Sequence, residues 1–387
     1  MADPSSQKML GPVICVVGAR PNFMKMAPIL KALKNHIPPI PCLLVHTGQH
    51  YDQDMSGKLF KDLQLPQPDV SLNVGSGTHA VQTAEVMKSF EPVMDTYKPS
   101  CVLVVGDVNS TVACALVAVK KGVPLVHVEA GLRSYDRTMP EEINRLLTDQ
   151  IADRLYTTER SASDNLAREG IGAERVCFAG NVMIDSLVSN LKIARPPAQT
   201  LAEFGADAEV LNSAAGYGVV TLHRPSNVDN RGSLVRLITT LGQIAKRLPL
   251  VFALHPRTRG NLERFELMAS IDRKRMVILP PQGYLEMLGL LKSATLVLTD
   301  SGGLQEETTA LGVPCVTLRE NTERPITIEQ GTNVVVGTDS VAITRAVDEI
   351  LAGLGKRGRI PEYWDGHAAE RIAADLWQLL KRSAALH

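Results

Sequence analysis

The chain has 387 residues, more than one ordinary α/β core holds, so two domains is the natural division. Hydrophobic residues make up 44% and charged residues 21%, the balance of a globular protein rather than a disordered or collagen-like one. Lysine plus arginine and aspartate plus glutamate each total 41, for a formal net charge of zero. That balance argues against a broad basic footprint for nucleic acid or an anionic membrane, and leaves room for a local cluster gripping one anionic ligand.

No stretch approaches the ~18 uninterrupted apolar residues of a membrane span. Met1 to Leu10 is polar and short, without the apolar segment of a secretory signal. Cys15, Cys42, Cys101, Cys114, Cys177 and Cys315 are scattered, mostly within apolar runs, and no pair has metal-ligand or redox spacing. Buried reduced thiols in a cytoplasmic protein are the expectation.

Short apolar runs alternate with amphipathic stretches, the rhythm of parallel sheets with crossover helices. In the first half the runs predict strands at Val13–Val17, Cys42–His46, Cys101–Val105, Leu125–Val128, Arg154–Thr157 and Arg175–Phe178. Helices are predicted at Phe23–Asn35, Gln53–Leu63, Ala80–Tyr97, Ser110–Lys121, Glu141–Ala152 and Ala162–Glu169. Pro196-Pro197 and the small and acidic residues of Ala194–Ala215 read as a join between domains. The rhythm then restarts with strands at Gly218–Leu222, Leu250–Leu254, Met276–Leu279, Thr295–Thr299, Pro314–Leu318 and Asn333–Val336. Helices fall at Ser233–Arg247, Asn261–Ala269, Tyr284–Lys292, Gly303–Leu311 and Ala342–Leu351. A final helix at Ala368–Ala385 is expected to cross back onto the first domain. The predicted division is residues 1–190, with 366–387 packing back on them, and residues 191–365. Two such βα halves each offer a crevice at the carboxyl ends of their strands.

The first strand ends in Gly18-Ala19-Arg20-Pro21-Asn22 and runs into a helix bearing Lys25, with neither a dinucleotide fingerprint nor a Walker loop. Arg20 and Lys25 on a strand-to-helix turn suit an anion such as a diphosphate, against the plainer reading of a solvated turn. In the second half, Asp300-Ser301-Gly302-Gly303 opens a helix carrying Glu306 and Glu307. There glycines let backbone N–H groups approach a phosphate, and a carboxylate one turn in can accept from ribose hydroxyls. His223-Arg224 and His255-Pro256-Arg257 both follow strands of that half. Glu129 lies just past a strand, as does Asp107. Pro140 starts a helix with Glu141 in its first turn and Arg145 four residues on, a spacing equally suited to a surface ion pair. Asp107, Glu129 and Glu141 facing basic residues look like acid–base equipment beside a leaving phosphate.

The segments GARPNFMKMAPI, HTGQHYDQDMSG, GDVNST, HVEAGLRS, MPEEINRLLTDQIADRLYTT, GNVMIDSL, TLHRPSNVD, LHPRT, TDSGGLQEE and TERPITIEQGT occur in the order seen in non-hydrolysing UDP-GlcNAc 2-epimerases, which the chain resembles over nearly its whole length. The resemblance implies an α/β architecture of the GT-B type, two Rossmann-like domains with the active site in the cleft between them. It implies interconversion of UDP-GlcNAc and UDP-ManNAc with no cofactor, neither NAD nor an essential metal, by anti elimination of UDP to 2-acetamidoglucal and its return. By resemblance Asp107, Glu129 and Glu141 are the acid–base candidates, and His223 assists near the departing phosphate. Arg20, Lys25, His255, Ser301, Gly302, Gly303, Glu307 and Arg324 match positions that hold UDP or its phosphates, Arg145 joins them as a substrate-binding candidate, and Met287 matches a position near the uracil. A homodimer is also implied.

Two stretches depart from the family pattern. Gln49-His50 is followed by Tyr51-Asp52-Gln53 without the second glutamine of members that bind UDP-GlcNAc as an allosteric activator, which argues against such activation. His223-Arg224-Pro225-Ser226-Asn227 differs from the more common His-Arg-Arg-Glu form. The chain also resembles the branch acting on UDP-2,3-diacetamido-glucuronic acid. A GT-B glycosyltransferase would need an acceptor surface, and no basic amphipathic helix marks one. A hydrolysing epimerase is disfavoured by the Gly-Ala-Arg-Pro start, and a non-catalytic sugar-nucleotide sensor would not need three carboxylates.

Overall fold

A computed structural model describes residues 11–48, 60, 62–63, 65–206 and 208–385; the side chains of Arg20 and residues 383–385 lie outside that description. The helix expected at Gln53–Leu63 and the Gln49–Gln53 stretch also fall outside it, apart from residues 60, 62 and 63. The chain divides into two compact units, residues 1–188 with 362–387, and residues 189–361.

Among its described residues unit 1 runs β1 (Val13–Val17), α1 (Arg20–Asn35), β2 (Cys42–His46), β3 (Val70–Ser71), α2 (His79–Tyr97), β4 (Cys101–Val105), α3 (Asn109–Lys120), β5 (Leu125–Ala130), α4 (Pro140–Ile151), β6 (Arg154–Thr157), α5 (Arg160–Arg168), β7 (Val176–Phe178) and α6 (Val182–Asn190), which runs past the unit boundary. All strands are parallel, in the order β3-β2-β1-β4-β5-β6-β7. The central strands are apolar runs because crossover helices cover both faces, so their residues are buried throughout. One core packs Ile14, Val16, Val102 and Val104 of the sheet against Phe90 and Met94 of α2 and Val117 of α3.

The last helix of the chain, α15 (Ala368–Ala385), belongs to this unit and packs against α1. Asp185 on α6 receives the backbone N–H groups of Ala368 and Ala369 at 3.1 and 2.7 Å, closing the helix's N-terminus. Asp375 takes two hydrogen bonds from Arg154 and one from Tyr156.

Unit 2 runs α7 (Pro197–Glu203), β8 (Gly218–Thr221), α8 (Pro225–Val228), α9 (Arg231–Ala245), β9 (Leu250–Ala253), α10 (Pro256–Arg264), β10 (Met276–Leu279), α11 (Tyr284–Lys292), β11 (Leu296–Thr299), α12 (Gly302–Leu311), β12 (Cys315–Thr317), α13 (Pro325–Glu329), β13 (Asn333–Val335) and α14 (Ser340–Leu351). Its strands are also all parallel, in the order β10-β9-β8-β11-β12-β13. The stretch Ala194–Ala215, read from sequence as a join, is folded in large part into this unit. Leu201 and Val210 are buried in its core, and Arg195 N donates to Leu285 O at 3.0 Å.

Most predicted strands start and end within a residue of those observed. The two-residue β3 and the helices α6, α7, α8 and α13 were not anticipated. The helix expected at Asn261–Ala269 instead spans Pro256–Arg264. Pro256 has the φ of a first helical residue, and the His255 side chain caps it by accepting from Arg257 N at 3.2 Å. Glu266, with φ +59°, stops the helix where the sequence had it continuing. All six cysteines are unbridged; Cys15, Cys101, Cys114 and Cys315 are buried, and Cys42 and Cys177 are half-buried. No helix among the described residues is long and apolar enough to cross a membrane.

Candidate active site

In each unit the strand order reverses direction beside the first strand, at β1/β4 and at β8/β11, and ligands of such sheets bind outside the strand carboxyl ends at those points. The predicted polar residues fall mostly on those ends.

In unit 1, β1 leads into α1 through a turn tied by Asn22, whose Oδ1 accepts from Gly18 N and Ala19 N and whose Nδ2 donates to Val105 O at the end of β4. The backbone of Arg20 opens α1. Lys25 points inward: its Nζ lies 2.8 Å from both carboxylate oxygens of Glu129, with 7% and 2% of the two side chains exposed. This is a buried ion pair, at the turn read from sequence as suited to a diphosphate.

Glu129 has φ +70°, in the left-handed region that costs a non-glycine residue about 1–2 kcal/mol. It sits at a bulge, since Val128 pairs with Tyr156 and Ala130 with the next residue, Thr157. Gly131 follows at φ +80°, where an added Cβ would come within 2.4 Å of Ala162 O, so only glycine fits.

Asp107, a quarter exposed, receives Arg145 Nη2 at 2.7 Å. The other arm of Arg145 goes to Glu142, three residues back, and not to Glu141 as the i, i+4 spacing suggested. Glu142 is buried and also accepts from Ser134 N, Ser134 Oγ and Tyr135 N at 3.0, 2.9 and 3.0 Å. It thereby ties the 131–139 loop to α4. Glu141 is half-buried beside it, and among the described residues no ion pair holds it. Unit 1 therefore gathers Lys25, Asp107, Glu129 and Arg145 at one sheet edge, with Glu141 in the adjoining helical turn and Glu142 as a member sequence reasoning missed. Its signal was available: an acidic residue in the first turn and three residues before an arginine.

In unit 2, Asp300 at the end of β11 organises the opposite strand. It is fully buried and accepts from His223 N, Arg224 N and Asn227 Nδ2 at 3.0 Å, and from His223 Nδ1 at 2.9 Å. Burial works against its charge, but the His223 ring and these N–H groups hold the carboxyl below its usual 3.8. His223 is thereby fixed as an Asp–His pair with a third of its side chain exposed, and its ring lies 5.5 Å from that of His255. Since His255 Nδ1 accepts from Arg257 N, its Nε2 carries the proton. Asp300 was in the sequence motif, but its role across 77 residues was not.

Ser301 is the N-cap of α12, followed by Gly302 and Gly303. Glu307 is buried one turn in, and burial together with its charge pushes the Tyr284 phenol far above its usual range. Arg324 Nε reaches Glu306 Oε1 at 3.0 Å. Glu323, also missed from sequence, lies at the α12 N-terminus, where its Oε1 stands 2.7 Å from the place a Gly302 Cβ would take. Arg319 and Arg224 approach it at 2.8 and 3.5 Å. Burial opposes its ionisation, but Arg324, Arg319 and Arg224 together pull the carboxyl down to about 2. A helix N-terminus surrounded by three guanidinium groups is suited to phosphate. Met287 stands apart from these polar groups, half-buried on α11 against the cluster of Leu279 and Leu290. Among the described residues no group of three or more His, Cys, Asp or Glu could hold a metal ion.

Two parallel sheets of this order, each with polar clusters at its carboxyl ends, define an α/β protein of the GT-B type. A glycosyltransferase from Rickettsia africae, 12% identical with a TM-score of 0.54, shares that fold. Residues 31–376 match the family model for UDP-N-acetylglucosamine 2-epimerase, and the chain belongs to this family of isomerases. It is 42% identical over 360 residues to the UDP-N-acetylglucosamine 2-epimerase of Methanocaldococcus jannaschii, covering 92% of this chain and 96% of that one. It is 40% identical over 374 residues to the UDP-2,3-diacetamido-2,3-dideoxy-D-glucuronate 2-epimerase of Pseudomonas aeruginosa, covering 95% and 99%. The crystal structure of the M. jannaschii enzyme in complex with UDP-GlcNAc and UDP superposes with a TM-score of 0.85 over 95% of this chain and 99% of that one, at 41% identity.

Proposed function

We propose that this chain interconverts UDP-GlcNAc and UDP-ManNAc by removing and returning the C2 proton while UDP leaves and rejoins C1. In the forward step the C1–O bond to UDP breaks, the C2 proton passes to a carboxylate, and 2-acetamidoglucal forms. In the return step UDP oxygen bonds C1 again and a proton is delivered to the other face of C2. The sequence is redox-neutral.

The observation that carries this reading is the carboxylate group of unit 1. Asp107, Glu129 and Glu141 stand at or beside the ends of β4 and β5, two of them paired to Arg145 and Lys25. A base and an acid on opposite faces of one carbon require more than one carboxylate. Lys25 stabilises the Glu129 charge a base needs, and Arg145 orients Asp107. Arg20 contributes to the diphosphate. In unit 2, Ser301, Gly302, Gly303 and Arg324 hold the diphosphate, His255 donates from Nε2, Glu307 accepts from the ribose, and Met287 lies by the uracil. The Asp300-oriented His223 stabilises charge on the departing phosphate, the largest barrier term, because C2–H is not acidic until C1–O is stretched. A homodimer in the cytoplasm belongs to the same reading, and six unbridged thiols suit that compartment.

The P. aeruginosa relative is nearly as similar and covers more of this chain, which supports a second reading in which the substrate is UDP-2,3-diacetamido-glucuronic acid. NMR of the purified protein in deuterated water with each sugar nucleotide tests both. Deuterium entering C2 of UDP-ManNAc is the expected result. Exchange confined to the diacetamido sugar selects the second reading, free ManNAc indicates a hydrolysing enzyme, and no exchange with either sugar overturns both. Glu129→Gln is expected to lose C2 exchange while keeping UDP affinity.

A further inference from the structure

Glu129 occupies a backbone conformation that glutamate does not choose for itself, so something around it must hold it there. Lys25 engages only its carboxylate. The backbone is held elsewhere. Asp149, on α4, is completely buried and reaches β5 on both sides of the bulge. Its Oδ1 accepts from His127 Nδ1 at 2.6 Å, two residues before Glu129. Its Oδ2 accepts from Gly131 N at 3.0 Å, two residues after, and from an Arg133 guanidinium nitrogen at 2.7 Å.

His127 extends the tie to the neighbouring strand, where its Nε2 donates to Gly106 O at 2.8 Å. Gly106 N in turn donates to Val128 O at 3.1 Å, and Asp107 follows directly. Burial works against the Asp149 charge, but His127 and Arg133 outweigh it and keep the carboxyl below its usual 3.8. An ionised carboxylate only accepts, so every partner here donates, and both His127 nitrogens face acceptors. Glu169 backs Arg133 from the far side through two hydrogen bonds at 2.7 and 2.6 Å.

We propose that Asp149 is a positioning residue for the reaction: it staples the chain across the bulge through His127 and Gly131, and so aims Glu129. This rests on the reading that Glu129 serves the C2 proton. Asparagine at 149 keeps the volume but replaces one acceptor with a donor, so Gly131 N or His127 loses its partner and the bulge relaxes. A shift on the order of 1 Å in a reacting group costs about a hundredfold in rate.

The test is a double-mutant cycle read by turnover and by C2 deuterium exchange. Asp149→Asn is expected to lower kcat about a hundredfold with KM within about threefold, and exchange by the same factor. In the Glu129→Gln background the same substitution should cost no more than about twofold in residual exchange, because the group it aims is gone. A kcat within about threefold of the unaltered protein, a loss confined to KM, or the full loss repeated in the Glu129→Gln background overturns the proposal. His127→Gln, which keeps one donor but not both, must show the same KM-sparing loss, and it decides the matter if Asp149→Asn does not fold. Should Glu129→Gln itself retain full exchange, it is the reading of Glu129 that fails, whatever Asp149 does.

Discussion

Replacing Lys25 with methionine keeps an unbranched side chain in the α1 face and removes its ammonium from between two carboxylate oxygens at 2.8 Å. At that separation the attraction is about 6 kcal/mol at an effective dielectric constant of about 20, offset in the native protein by desolvation of both groups. What the substitution exposes is the desolvation side alone: Glu129 stays buried without its cation, a situation that typically costs about 3–5 kcal/mol. For a unit of this size that corresponds to a fall of about 10 °C in the melting temperature. Both tryptophans of the chain, Trp364 and Trp377, lie in unit 1, and Trp364 Nε1 is buried on Thr158 O, so their fluorescence during urea unfolding reports on this unit. The decisive comparison adds Glu129→Gln to Lys25→Met. Removing the stranded charge should return about 2 kcal/mol or more of stability, whereas C2 exchange, which needs the carboxylate, should stay lost. If Lys25→Met costs less than about 1 kcal/mol, the pair is not the buried unit described. If the second substitution lowers stability further, the desolvation argument is wrong.

Three other perturbations separate structural from chemical roles. Glu142→Ala leaves Ser134 N, Tyr135 N and one arm of Arg145 without an acceptor, so denaturation should show a loss of about 2–4 kcal/mol and exchange at C2 should fall with it. Asp300→Asn removes the anion that fixes His223, and kcat should fall at least tenfold while the UDP-only dissociation constant, measured by calorimetry, changes little; an unchanged kcat would deny His223 its orienting partner. The Glu323 carboxyl is pulled from its ordinary 4.5 to about 2, so its stabilisation is fully present above pH 4.5 and is lost as the pH falls towards 2. That amounts to about 3 kcal/mol. Thermal melts taken between about pH 5 and pH 3 should show it as an acid slope that Glu323→Gln flattens.

The strands were readable because parallel strands covered on both faces must be apolar throughout, as Val13–Val17 and Cys101–Val105 are. Val70–Ser71 is too short to leave such a mark. The helix placed at Asn261–Ala269 from sequence begins earlier, at Pro256, because the cap that His255 supplies is visible only in the structure. Candidate residues announced by strand ends, such as Asp107, Glu129, His223 and Ser301, could be placed at the sheet edge from sequence because topology alone carries them there. Their partners could not. Asp300 meets His223 across 77 residues, Asp149 meets His127 across 22, and which way Glu142 and Glu141 point depends on a helical phase that one residue of error reverses. Sequence spacing gives neighbours along one helix, as Glu142 and Arg145 are, whereas the pairs Lys25–Glu129, His127–Asp149 and His223–Asp300 join different elements.

The return of α15 to α1 has a consequence for how the protein is made. Unit 2 is one uninterrupted stretch, residues 189–361, while unit 1 is assembled from both flanks of it. A ribosome finishes everything the second sheet requires before it supplies Ala368, Ile372 and Leu376, buried residues of the helix that packs against α1. At ordinary elongation rates the nascent first unit lacks this helix for about 10–35 s. Through that interval the later-encoded body can close on its own, and the earlier-encoded one is the natural client of a chaperone.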